Sequence, residues 1–373
     1  MKNNLRVFLI PLFALAIIVS ACNSNTESST IKDSSFVDST STFSLKPAGP
    51  PPEWGKTIRP EMQAVIEKLM SYEDKPIESL NAIDARRNHT PYDAVTDLVK
   101  LNNIKIPVVK VDTAGKDIDA NGAKIHLRIY TPKSGSGPFP LIVYYHGGGF
   151  VIAANLDAYN ASAQALSEQV GAIVVSVAYR LAPENKFPTA HNDAFVAYEW
   201  AIKNAVSLKA DPAKIAVVGE SAGGNLAANV SIMARDKHIM IPVHQVLIYP
   251  ITQANMETQS YKLYADAKPL NKAMMNWFME KYLTTMIEGQ NSKISLVNAN
   301  LKDLPPTTII TAEIDPLHDD GIIFANKLSD AGVKVNSRNY EGVTHEFFGM
   351  AIIVPEAQAA QVYVANQLKA AFK

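Results

Sequence analysis

The sequence is short of several things. It has one cysteine in 373 residues, Cys22, which excludes an intramolecular disulfide and any zinc site built on several cysteines. It has no excess of either charge: 35 Lys and Arg stand against 36 Asp and Glu, a formal charge of −1. Nucleic-acid binding calls for a basic face, so no nucleic-acid partner is expected. Charged residues make up 19% and apolar ones 47%, the proportions of a packed globular chain rather than a disordered one. No internal repeat occurs. The apolar run near the start, Val7–Val19, holds 13 residues, short of the roughly 20 that span a bilayer. At roughly 150 residues per domain, the length allows two domains or one large α/β domain with additions.

What is present at the N-terminus reads as an address. Lys2 and Arg6 precede the apolar run, and Ser20-Ala21-Cys22 follows it. A charged start, a short apolar stretch and small residues make an export signal, here residues 1–21. Val19-Ser20-Ala21-Cys22 resembles the bacterial lipobox, which implies lipidation of Cys22 and attachment to the cell envelope. An ordinary signal peptide, giving a periplasmic or secreted protein, and an uncleaved anchor are the alternatives. Residues 22–56, rich in Ser, Thr, Asn and Pro, bury too little apolar area to fold and read as a tether.

Further on, short apolar runs alternate with helical patterns. Strands are expected at Pro107–Val111, Lys124–Tyr130, Leu141–Tyr145, Ala172–Val177, Lys214–Val218, Val243–Tyr249, Thr307–Thr311 and Lys334–Tyr340. Runs apolar throughout, such as Ile215-Ala216-Val217-Val218, suit parallel strands buried on both faces. Helices are expected near 157–169, 190–206, 222–235, 317–330 and 356–371. This alternation predicts an α/β fold with a mostly parallel eight-stranded sheet and helices on both faces. Residues 106–250 and 299–373 form the core on this reading. Residues 57–105, helical with a polar connection around Arg86–Thr90, and the Met- and aromatic-rich 251–298, with a helix near 271–286, interrupt the alternation. They are expected to meet as a cap, the alternative being that both pack as flanking helices.

Gly219-Glu220-Ser221-Ala222-Gly223 is a G-x-S-x-G sequence between a buried strand and a small-residue helix. That strand–turn–helix context projects a serine hydroxyl above a sheet. Upstream, His146-Gly147-Gly148-Gly149-Phe150 ends another strand, and bare glycine N–H groups there can approach an oxyanion. Gly147, Gly148 and Ala222 are the candidate donors. His146 is expected to fix the loop by hydrogen bonds, with a role as base the rival reading. After Ser221 the order acid, then histidine, is required. His345, in the loop between the last strand and last helix, is the candidate base, ahead of His238, His244 and His318. Asp315, nearest a strand end, is the candidate acid, with Asp319 the runner-up. The His318-Asp319-Asp320 group lacks a second ligand cluster, so no metal is expected, and nothing in the sequence calls for a cofactor.

With Tyr179-Arg180-Leu181-Ala182-Pro183-Glu184 and Asp315–Gly321 added, the chain over roughly 50–373 resembles the hormone-sensitive-lipase-like branch of α/β-hydrolases, whose bacterial members are carboxylesterases. The resemblance implies an α/β-hydrolase fold, a Ser221–Asp315–His345 triad, an oxyanion hole from the His146–Phe150 loop and a helical cap. It also implies a buried Arg180–Glu184 ion pair. Ala178, Glu220, Glu346 and the Val151-Ile152-Ala153-Ala154 stretch depart from the branch's usual residues, with consequences for pocket shape. The expected function is a serine carboxylesterase acting on short- to medium-chain esters of small molecules. The alternatives are an amidase, peptidase or acetyl-esterase on the same fold, or a surface lipoprotein that only binds. A homodimer is left open.

Overall fold

Alternate residues of a strand point to opposite faces. Here the central strands carry apolar residues at consecutive positions, such as Ile215-Ala216-Val217-Val218, because both faces are covered. In the computed structural model, which describes residues 1–2 and 45–373, eight strands form one sheet: β1 (Val111–Ala120), β2 (Ala123–Pro132), β3 (Phe139–Tyr145), β4 (Ile173–Ala178), β5 (Ala210–Glu220), β6 (Gln245–Ile248), β7 (Thr307–Ile314) and β8 (Val335–Thr344). Their order is β1-β2-β4-β3-β5-β6-β7-β8. β1–β2 and β2–β4 are antiparallel, and every pairing from β4 to β8 is parallel. The leader 1–21, Cys22 and most of the expected tether lie outside the described residues.

Ten α-helices accompany the sheet among the described residues: α1 (Pro60–Met70), α2 (Ala82–Ala85), α3 (Pro91–Leu101), α4 (Asn160–Val170), α5 (Thr189–Asn204), α6 (Ala222–Asp236), α7 (Gln259–Leu263), α8 (Lys272–Tyr282), α9 (His318–Asp330) and α10 (Pro355–Ala371). Val143, Val175 and Val217 pack with Ala194 of α5 and Leu226 of α6 on one face. Ile142, Val174 and Ala216, their neighbours in sequence, pack with Leu166 of α4 and Leu368 of α10 on the other. Met62 and Val65 of α1 and Val95 and Val99 of α3 join that second core. The segment between α1 and α2 meets α8, where the Trp277 indole donates to Leu80 O at 3.0 Å and the Asn271 amide to Glu78 Oε1 at 3.3 Å.

Four expectations need correction. The first strand begins, rather than ends, at Val111. Its Asp and Lys residues are tolerated because it is an edge strand, exposed along most of its length. The helix expected over 271–286 stops at Tyr282, because Leu283 turns to an extended backbone and Thr285 starts a new 3-10 turn, accepting and returning hydrogen bonds with Glu288. The tether does not reach Lys56: Leu45 is buried, Ala48 and Gly49 N–H donate to the Glu67 carboxylate, and the Gln63 amide donates to Gly49 O at 2.8 Å. Arg180 does not pair with Glu184. It grips the fully buried Asp193 of α5 at 2.7 Å, and Glu184 pairs with Arg86 at 2.7 Å instead. Carboxylates in different elements, Glu184 in a loop and Asp193 in α5, compete for each guanidinium, and sequence spacing alone does not say which one the chain path brings near.

Candidate active site

Sheet register assembles the site. Ile314 of β7 pairs with Thr344 of β8, so the next residues, Asp315 and His345, leave the sheet side by side. Tyr145 of β3 pairs with Gly219 of β5, which sets the His146–Phe150 loop beside Ser221. The expected residues from four separate stretches of chain thus converge on the C-terminal edge of the parallel strands, where open α/β sheets gather ligand-binding groups.

Ser221 sits between β5 and α6 with φ 56° and ψ −117°, a backbone that costs a non-glycine residue of order 1–3 kcal/mol. Its N–H donates to Ile248 O at 2.9 Å. The turn is possible only with glycine on either side: a Cβ on Gly219 would lie 2.0 Å from Gly223 O, and one on Gly223 would lie 2.0 Å from Tyr145 O. His345 Nε2 lies 2.9 Å from Ser221 Oγ, and His345 Nδ1 lies 2.6 Å from Asp315 Oδ2. Asp315 Oδ1 accepts Leu317 N–H at 2.8 Å. All three side chains are buried. A carboxylate on Nδ1 fixes the proton there and leaves Nε2 to accept from the serine hydroxyl. Burial pushes the imidazole's pKa down, but the charge and hydrogen bond of Asp315, helped by Glu346 and Glu220, outweigh it and raise the pKa above the ordinary histidine value.

The rival candidates lie elsewhere. Asp319 accepts Ser260 N–H at 2.9 Å and faces His318, not His345. His146 is buried, with Nδ1 2.8 Å from Gly147 O and its ring stacked on Tyr179 at 4.2 Å. Burial lowers its pKa to about 4, so it stays neutral and supports the loop. His244 is held by Thr308 at 2.9 Å. In the loop itself, Gly148 has φ 92°, and Tyr179 Oη donates to His146 O at 2.8 Å. The N–H groups of Gly147, Gly148 and Ala222 make no hydrogen bond among the described residues, so they remain free for an incoming oxygen. No group of three metal-ligating side chains occurs among the described residues.

A shell of tyrosines and carboxylates beside this trio was not anticipated. Glu220 is buried and accepts hydrogen bonds from Tyr144 Oη and Tyr249 Oη, each at 2.5 Å. Burial raises its pKa, the two tyrosine hydrogen bonds opposing. The Tyr249 ring stands 4.6 Å from the His345 ring. Tyr159 Oη donates to Glu346 at 2.8 Å. Tyr144 sits in an apolar strand and Tyr249 directly follows one, where a tyrosine reads as core; only the odd carboxylate beside each of Ser221 and His345 hinted that partners must exist. In front of the trio opens a cavity of about 290 Å³, bordered by Gly148, Ser221 and His345, by α8 through Met275 and Phe278, and by the α1–α3 region.

Residues 142–349 match the family model described as alpha/beta hydrolase fold. A carboxylesterase of Mycobacterium tuberculosis is 39% identical over 240 residues, 63% of this chain and 75% of its own. An ethyl acetate hydrolase of Pseudomonas putida is 34% identical over 253 residues, 67% of this chain and 79% of its own. Among solved structures, a thermostable esterase from Pseudomonas putida superposes with a TM-score of 0.77 at 32% identity, covering 85% of this chain and 98% of that one. An esterase from the archaeon Pyrobaculum calidifontis gives 0.73 at 36% identity, with 82% and 97% covered. The sheet and its serine turn define an α/β-hydrolase. The chain belongs to the alpha/beta-hydrolase-fold family, in the carboxylesterase type that these relatives represent.

Proposed function

We propose that the chain is a serine carboxylesterase in which Ser221, His345 and Asp315 act as a triad on short- to medium-chain esters. The protein is a carboxylic ester hydrolase, and the observation that carries the finer reading is the unbroken line Ser221 Oγ–His345 Nε2, His345 Nδ1–Asp315 Oδ2 at 2.9 and 2.6 Å on the wall of a cavity. Ser221 Oγ attacks the ester carbonyl while His345 takes its proton. The carbonyl oxygen, now anionic, rests on the N–H groups of Gly147, Gly148 and Ala222; losing one such donor typically costs about 10²–10³ in rate. Asp315 holds the tautomer and stabilises the imidazolium. His345 gives the proton to the departing alcohol, leaving an acyl-Ser221. Water, deprotonated by His345, then attacks that acyl group and releases the acid and free Ser221. The cavity volume suits small acyl and alcohol groups, in keeping with a relative named for ethyl acetate.

Replacing Ser221 by Ala tests the assignment. Turnover of 4-nitrophenyl acetate is expected to fall by about 10⁴–10⁶, with an unchanged circular-dichroism spectrum. Residual activity close to that of the parent would remove Ser221 from the role. The leader and Cys22 support a further reading, that the mature enzyme is lipid-anchored at Cys22 in a bacterial cell envelope.

A further inference from the structure

The wall of the cavity beside His345 carries polar groups that acyl transfer does not use. Glu346 follows His345 and has a left-handed backbone, φ 66°, a conformation disfavoured by roughly 1–2 kcal/mol for a residue with a side chain. A glycine would avoid that cost, so a carboxylate at this position calls for a use. It is half-buried, lines the cavity and accepts the Tyr159 hydroxyl. Glu220 lines the same cavity, and each of its oxygens accepts one tyrosine hydroxyl, which leaves further lone-pair capacity on both. Ser162 completes the group. It is 1% exposed and lines the cavity, yet its hydroxyl has no hydrogen-bond partner among the described residues, although it stands close to Glu220 and Tyr144. A buried hydroxyl without a partner costs about 1–3 kcal/mol, a cost removed when a ligand supplies the missing bond.

The complement to two carboxylates and an unpartnered hydroxyl is a positively charged donor. The rest of the cavity agrees in sign: five Asp and Glu line it against three Lys and Arg, and of those three Arg86 is engaged by Glu184 at 2.7 Å. The position also selects which half of the substrate is read. His345 protonates the departing alcohol, so the alcohol oxygen must come within hydrogen-bond reach of Nε2, and Glu346 is the adjoining residue.

We propose that Glu346, Glu220 and Ser162 form a subsite for a protonated amine on the alcohol portion of the ester. This rests on Ser221 and His345 acting as described above. The enzyme then selects amino-alcohol esters over neutral esters of the same shape.

The test compares 2-(dimethylamino)ethyl acetate with 3-methylbutyl acetate, its uncharged isostere, by pH-stat at neutral pH. The expected kcat/KM ratio is about tenfold in favour of the amine, the size of a charge-assisted hydrogen bond. It should fall toward one in Glu346→Gln. Because the ratio is taken on each enzyme, a general loss of activity cancels. A wild-type ratio of one or less, or a ratio unchanged in Glu346→Gln, overturns the subsite. Should the wild type hydrolyse neither ester, the reading of Ser221 fails. Calorimetric titration of the two esters into the same protein then decides the subsite: tighter binding of the amine supports it, and equal binding overturns it.

Discussion

At the scale of single residues, His345 is pulled in two directions. Burial favours its neutral form, while Asp315 in contact, and then Glu346 and Glu220, favour the imidazolium, and the carboxylates prevail. In the proposed mechanism His345 must be neutral to accept the Ser221 proton, so kcat/KM should fall as pH drops through a pKa raised above the ordinary histidine value. Glu220→Gln removes one of the charges that favour the imidazolium. The acid limb of the kcat/KM profile for 4-nitrophenyl acetate should therefore move to lower pH; a limb that stays in place would show that Glu220 exerts no field at His345. That Ser221, Asp315 and His345 meet was legible in the sequence, because a serine between a buried strand and a small-residue helix, followed by an aspartate and a histidine in order, leaves few choices. The choice of Asp315 over Asp319 became a matter of geometry once register set Asp315 against His345. Tyr144, Tyr159 and Tyr249 were not legible. A buried hydroxyl is recognisable only by its partner, and these partners lie 76, 187 and 29 residues away.

At the scale of elements, the connection from β4 to α5 is tied by one strong pair. Arg180 donates from its backbone N–H and from Nε and Nη2 to Asp193, whose side chain is fully buried while that of Arg180 is 26% exposed. Arg180→Met should strand that carboxylate and lower the unfolding free energy by about 3–5 kcal/mol. Arg86→Met leaves behind Glu184, whose side chain is 48% exposed, and should cost less, because water can solvate the orphan. Urea denaturation of the two variants checks the ordering, and equal losses would contradict it. Elements were legible in proportion to their burial. The apolar strands β3 to β7 and the helices between them announce themselves by unbroken or periodic apolar runs. The edge strand β1 does not, since only three of its positions are buried. The pairing of Arg180 was missed for a related reason: spacing along the chain suggested Glu184, but the partner comes from a helix that packs back against the strand.

At the scale of the whole molecule, we propose a leader with Cys22 and a polar stretch ahead of a body that takes in residues 45–56 rather than starting at residue 57. The polar look of 45–56 hid this, because the segment is held by backbone hydrogen bonds to Gln63 and Glu67 and by one buried leucine rather than by an apolar pattern. Anchoring and catalysis should then separate cleanly. Expressed in a bacterial host, the full chain should sediment with membranes and incorporate labelled palmitate, and Cys22→Ser should do neither. Residues 45–373 alone should hydrolyse 4-nitrophenyl acetate with kcat/KM within about twofold of the full chain, since every group of the site lies in that span and small esters reach it from solution. Starting instead at residue 57 removes the buried Leu45 side chain, which by itself contributes about 1.5–3 kcal/mol, and leaves the Gln63 amide without its carbonyl acceptors. That shorter chain should melt at a lower temperature than 45–373. An unchanged melting temperature would return the boundary to Lys56, and membrane association that survives Cys22→Ser would place the anchor in the apolar run Val7–Val19 instead of a lipid.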